Sequence, residues 1–174
     1  ISLSENIELW GGTLTNWSGD NTVSRQVLLR QSSSVDVQQD SLTFSPSSGT
    51  AVAVDPASSA YNANLTLAGA GDLVVDGVLN LKDGQSTATY GDFLQTGTGV
   101  VRLKNDVKVQ KAESTGGGTI WMDQPAGSAV VTPSGGSLFL DNGSSLRRDR
   151  SETVTGTSLE LGAGGGEITV GAGS

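Results

Sequence analysis

The 174-residue chain contains no cysteine and no histidine. Without cysteine there is no disulfide, no thiolate nucleophile and no Cys-ligated zinc site. Without histidine the commonest general base and the commonest metal ligand are missing, and no Ser-His-Asp arrangement can form. Aromatics are scarce: three Trp, two Tyr and three Phe, beside a single Met. No apolar run is long enough to span a bilayer as a helix. Ten basic residues face 18 acidic ones, a net charge of −8. That balance disfavours nucleic acid or an anionic membrane as partner, because phosphate binding needs a basic surface. Beginning at Ile1 rather than Met, the chain reads as a processed or excised piece.

What is present is glycine, at 25 residues, together with abundant Ser and Thr. The apolar fraction, 35%, is low for a globular chain, but its regular placement argues against disorder. No segment carries helical periodicity, and alternation with period two dominates. Ile1, Leu3, Ile7 and Leu9 fall on one face, with Ser2, Ser4, Asn6 and Glu8 on the other. Leu42-Thr43-Phe44, Val52-Ala53-Val54, Leu65-Thr66-Leu67, Val107-Lys108-Val109 and Ile168-Thr169-Val170 alternate likewise. Asp76-Gly77, Asp83-Gly84 and Asn142-Gly143 are turn dipeptides between such runs, and Pro46, Pro56, Pro125 and Pro133 stop them.

One phrase recurs: a turn, an apolar residue, one intervening residue, a second apolar residue. It reads Gly77-Val78-Leu79-Asn80-Leu81, Gly99-Val100-Val101-Arg102-Leu103 and Gly118-Thr119-Ile120-Trp121-Met122. It returns as Gly136-Ser137-Leu138-Phe139-Leu140 and Thr157-Ser158-Leu159-Glu160-Leu161. The anchors Leu79, Val101, Ile120, Leu138 and Leu159 are separated by 22, 19, 18 and 21 residues. This step predicts an all-β parallel β-solenoid over residues 61–174. Residues 1–60 fit the phrase poorly and are expected to form an atypical N-terminal cap or a first sheet, in one continuous domain. The alternative is an antiparallel β-sandwich, which also produces short alternating strands and uses hairpin dipeptides.

The search for chemistry returns little. Asp72, Asp76 and Asp83 could pair as acid and base, but they coincide with turns, where Asp is expected. Gly69-Ala70-Gly71-Asp72-Leu73-Val74 approaches the calcium-binding repeat pattern with its aspartate one residue early and without tandem repetition. No cofactor is expected, and calcium only from scattered loop oxygens. Lys82, Lys104, Lys108 and Lys111 read as solvated. Residues 162–166 lack the strand-then-helix context of a phosphate cradle. The basic cluster Arg147-Arg148-Asp149-Arg150 reads as a solvated loop or a salt-bridge patch against an acidic neighbour. Three Asn-x-Ser/Thr sequons, at Asn16, Asn64 and Asn142, matter only in a glycosylating source. Trp121 and Phe139 occupy the same slot of the phrase, so they are expected to stack together on the outside as an interface or a sugar platform. Trp17, Ile1, Leu3, Ile7 and Leu9 complete the candidate binding or interface residues.

Leu65-Thr66-Leu67-Ala68-Gly69-Ala70-Gly71, 136–143 and Ser158-Leu159-Glu160-Leu161-Gly162-Ala163-Gly164 resemble the degenerate repeats of bacterial autotransporter and haemagglutinin-type passenger domains. Phage tail-fibre segments are similar in texture. The resemblance covers roughly residues 64–174. It implies a right-handed parallel β-helix outside the cell, serving adhesion or scaffolding. The expectation is thus an extracellular or cell-surface structural protein of a bacterium or phage, not an enzyme, acting through self-association or by binding a glycan or host surface. One alternative is a filament subunit whose segment 1–10 completes the sheet of a neighbour. Another is a carbohydrate-binding or polysaccharide-cleaving β-helix.

Overall fold

Short alternating strands joined by tight turns can bury their apolar residues only by stacking like on like or by packing sheet on sheet. The computed structural model describes residues 1–47, 49–55, 63–82 and 90–123, and beyond them the strands of 130–140, 144–148, 154–161 and 166–170 through their backbone pairing. It resolves the choice in favour of stacking. Each coil visits three faces in turn. The first three coils are β1 (Ser2–Leu3), β2 (Ile7–Trp10), β3 (Thr13–Asn16); β4 (Asn21–Val23), β5 (Val27–Gln31), β6 (Ser33–Val37); and β7 (Ser41–Phe44), β8 (Thr50–Val54), β9 (Leu65–Ala68). The next two are β10 (Asp72–Val75), β11 (Val78–Asn80), β12 (Phe93–Gln95), then β13 (Val100–Leu103), β14 (Val107–Lys108), β15 (Lys111–Ser114). In the sixth and seventh, β16 (Thr119–Met122) and β18 (Ser144–Arg148) continue the first face. The long strands β17 (Val130–Leu140) and β19 (Val154–Leu161) run through the second face into the third. β20 (Gly166–Val170) closes the first face.

All pairings between these strands are parallel. The chain is therefore a parallel β-solenoid, and the antiparallel sandwich is excluded. The one antiparallel contact among the described residues is an isolated bridge between Lys82 and Tyr90. Asp83-Gly84, Asn142-Gly143 and residues 56–60 lie outside the described residues. Among the described residues, no helix is long and apolar enough to cross a membrane.

Residues 1–55 are built like the rest. Strands β1 to β8 take their places in the same three faces, so this segment is not a separate cap or first sheet. Followed along the first face, Leu3, Val23, Phe44, Val75, Leu103 and Met122 lie one above another. The first-face steps are 20, 21, 31, 28 and 19 residues. The recurring phrase marks strands rather than coils. Leu79 stands on the second face, Val101 and Ile120 on the first, Leu138 and Leu159 on the third.

The core is made of such columns. Val27, Val52, Leu79 and Val107 line the second face, and Leu65, Phe93 and Ala112 the third, all buried. Each large side chain so buried contributes about 1.5–3 kcal/mol relative to exposure. The corner from third to first face is the tightest. There Gly69, Gly97 and Gly116 stack, as do Gly71, Gly99 and Gly118, and the ladder runs around the bend, with Thr98 N–H donating to Gly69 O at 2.9 Å and Thr119 N–H to Gly99 O at 3.1 Å. A Cβ on Gly97 would overlap the carbonyl oxygen of Gly69, and one on Gly99 that of Gly71. Neither carbonyl can move without breaking the coil beneath. Inside the same corner the fully buried Gln95 donates to Gly99 O at 2.6 Å and accepts from Ser114 Oγ at 3.0 Å.

Gly99→Ala should therefore destabilise the chain by about 3 kcal/mol, at the upper end for overpacking. Gly12→Ala, where an added Cβ meets nothing, should change stability by less than about 0.5 kcal/mol. Urea unfolding of the two variants checks this, and equal effects would refute the corner argument.

Candidate binding surface

The alternation that sends apolar residues inward leaves a row of outward positions on each face, and rows on adjacent coils touch. On the first face the outward column runs Thr22, Thr43, Val74, Arg102 and Trp121, with Arg147 at the next register position. The Arg102 guanidinium lies 4.2 Å from the Trp121 ring centroid. It also meets the Asp123 carboxylate, with Nε to Oδ2 at 2.7 Å. One column over, Asp76 bridges coils, reaching Lys104 Nζ at 3.1 Å and accepting from Ser45 Oγ at 3.4 Å. Asp72 accepts from Val100 N–H at 2.9 Å. Both acids thus serve contacts between coils, while Asp83 lies outside the described residues.

Trp121 and Phe139 stand on different faces of the solenoid. Trp121 is half-buried on the first face between the register positions of Arg102 and Arg147. Phe139 stands on the third face between those of Glu113 and Glu160, and its side chain lies outside the described residues. The shared slot of the phrase had placed them on one face because strands of different faces carry the same pattern. The Arg102–Trp121 pair was missed, although a signal for it existed: both are middle residues of the phrase, 19 positions apart.

On the second face Arg30 forms ion pairs with Glu8, at 3.0 Å, and with Asp55, and lies 5.4 Å from the Trp10 ring centroid. Hydrogen bonding from Arg30 holds the Glu8 carboxyl below the usual carboxylate range, and the same contact raises Arg30. This contact supports the first coil at neutral pH and fades as pH falls through the carboxylate range. On the third face Lys111 pairs with Glu113 at 2.5 Å. Lys104 and Lys111 are thus ion-paired rather than merely solvated. Burial pushes Asp92 up, partly opposed by the Lys111 charge. Among the described residues, no three carboxylates gather where they could hold a metal ion.

Among the described residues, the first coil differs from the other coils. The exposed large apolar side chains among the described residues are Ile1 (87%), Leu3 (47%), Trp10 (65%) and Trp17 (75%), all within residues 1–17. A cavity of about 210 Å³ opens here, lined by Ile1, Leu3, Leu14, Asn21, Val23 and Leu42 among others. Ile7 and Leu9 lie lower, Leu9 in the core and Ile7 packed against it. Segment 1–10 is paired within its own chain, β1 on β4 and β2 on β5.

No protein-family model matches the chain, and neither a curated protein nor a solved structure does.

A carboxyl raised on folding favours its protonated form, so Asp92 weakens the fold as pH rises through its folded pKa and has no such effect in acid. Asp92→Asn keeps an acceptor for the Lys111 N–H and removes the charge. It should raise the thermal midpoint at pH 7 and leave it unchanged below about pH 3, where the carboxyl is protonated in both states. An equal change at both pH values would show that charge is not the cause.

Proposed function

We propose that this chain is a structural, adhesive element displayed outside the cell, working through its faces and through association with further copies rather than through catalysis. The observation that carries the reading is the concentration of exposed apolar residues on the first coil of a parallel stack. Isolated exposed apolar residues are ordinary, but four large ones within residues 1–17 mark a surface suited to being covered. The outward rows of the three faces suit the same role, since they extend over several coils and repeat at ladder spacing.

A second reading, a carbohydrate-binding or carbohydrate-cleaving β-helix, draws on one row of the third face. Glu113 and Glu160 flank Phe139 there in register. Two strands apart, the Cα atoms of these residues lie about 9–10 Å from one another, and paired acids are the residue type that glycoside cleavage uses.

Sedimentation velocity over a concentration series, paired with negative-stain electron microscopy, tests the first reading. Concentration-dependent assembly into elongated particles is expected, growing as added salt screens the net charge of −8. A particle that stays monomeric throughout would refute self-association. A glycan array separates the second reading: binding lost on Phe139→Ala supports it, and a blank array removes it.

A further inference from the structure

We infer that the corner between the first and second faces carries a binding site for a single carboxylate on a hydroxylated, sugar-sized ligand, with Arg25 as its anchor. The site shares no residue with the exposed apolar set Ile1, Leu3, Trp10 and Trp17 or with the Phe139 row, so it stands independently of both readings above.

The cavity follows from a difference in connection length. Three residues join β4 to β5 and two join β10 to β11, but five join β7 to β8. Pro46 and Ser47 of that longer connection form one wall of a cavity of about 180 Å³, and Asn6, Arg25, Gln26 and Thr50, from three successive coils, line the rest. Pockets for drug-sized molecules run to about 300–1,000 Å³, so this one suits a single charged group with part of one ring. Its chemistry is one-sided. The chain has 18 acidic residues against ten basic ones, yet no carboxylate is among the described residues that line the cavity. Arg30 and Arg102 are ion-paired. Arg25 meets no carboxylate among the described residues, and its Nε donates to Ser4 O at 3.1 Å. That bond fixes the guanidinium across two coils and uses its Nε edge. The end-on edge, with its two Nη groups, is left to donate to the two oxygens of a carboxylate. Asn6, Ser47 and Thr50 add an amide and two hydroxyls whose side chains have no protein partner among the described residues. Gln26 donates to Thr50 O at 3.4 Å, tying two coils together at the cavity. Further along the stack the same corner is neutralised within the chain, where Lys104 reaches Asp76 at 3.1 Å. The net charge of −8 repels a polyanion over the whole surface, whereas a ligand with one carboxylate meets that field once. This favours a single acidic sugar unit over nucleic acid or a sulfated polymer. Solvent screens an open guanidinium, so the affinity expected is on the order of 1 mM.

Three probes separate the parts of the claim in a proton–nitrogen NMR titration of the whole chain. Glucuronate carries carboxylate and hydroxyls, acetate the carboxylate alone, and glucose the hydroxyls alone. Glucuronate should give saturable shifts centred on the amides of Asn6, Arg25, Gln26, Ser47 and Thr50 and on the Arg25 Nε–H, with acetate and glucose each binding about fivefold more weakly or worse. Arg25→Gln should weaken glucuronate at least about tenfold, and Arg25→Lys, which keeps the charge without the fork, should recover only part of the loss. Ser47→Ala leaves the Arg25 contact with Ser4 in place and should weaken binding about two- to tenfold. Lys108→Gln removes one positive charge from the second face and should leave binding unchanged. Thermal unfolding confirms that each variant is folded. Equal affinity for acetate and glucuronate would overturn the sugar part of the assignment. Equal losses on Arg25→Gln and Lys108→Gln would reveal a diffuse charge effect and overturn the site. So would shifts that fail to saturate or that fall elsewhere, and both readings above would survive that result.

Discussion

A parallel β ladder sets neighbouring coils about 4.8 Å apart, and every turn of this chain has to respect that height. Straight strands do so without effort, because their pleat already carries the hydrogen bonds. Corners do not, because the backbone bends while still stacking on the corner below. At the bend from third to first face, the height leaves no room for a Cβ at Gly97 or Gly99. The faces, the columns and the pairs between coils all depend on that corner repeating at one spacing. Arg30 reaches Glu8 and Arg102 reaches Asp123 because the partners, some 20 residues distant in sequence, are neighbours in space.

The same corner explains why the interior is not purely apolar. A bend turns some carbonyls inward, where an unmet acceptor costs about 1–3 kcal/mol. Gln95 and Ser114 answer this in the middle of the stack, linked to each other and to Gly99 O. In the first coil Asn16 does so, donating to Gln39 O at 3.2 Å and accepting from Asn21 Nδ2 at 2.5 Å. Replacing either set with apolar residues would gain burial area and strand the carbonyls, and the second effect is the larger at a fully enclosed site.

This chemistry also decides what could be read from the sequence. Strands such as Leu42-Thr43-Phe44 and Leu65-Thr66-Leu67 were legible from alternation alone, since one buried face imposes period two. The assignment of strands to faces was not, because all three faces obey the same period and the phrase carries no label for its face. Steps of 31 and 28 residues between Phe44, Val75 and Leu103 further blur the period. The first coils fit the recurring phrase poorly for a different reason. Their corners are made with Asn16, Asn21 and Asp40, which has φ of 56°, instead of the later Gly-x-Gly pairs. The Asp40 carboxylate accepts from Gly19 N–H at 2.7 Å, tying one corner to the next by side chain rather than by close backbone approach. Of the candidate surface, Ile1, Leu3 and Trp17 are named as interface residues from the sequence, but alternation carries no sign that Ile1 and Leu3 stand exposed while Leu9 of the same apolar face is buried. The Arg30–Trp10 contact could not be read either, since the register shifts between Leu9 and Trp10 and breaks the count.

The distribution of charge bears on the direction in which such molecules can join. Arg30, Arg102, Lys104 and Lys111 are each engaged by a carboxylate of their own chain. The excess of eight negative charges is left unbalanced within the chain, and two stacks lying side by side would meet it over many coils. That repulsion reaches about 10 Å at 0.1 M salt and falls as salt rises. Contact at the ends works differently. It pairs backbone groups and covers apolar residues, neither of which salt weakens, and it opposes only a few charges. Side-by-side association thus carries a penalty that grows with the length of the stack, while end-to-end association carries a fixed one. Unbalanced charge thus discourages lateral clumping, and does so more strongly the longer the stack.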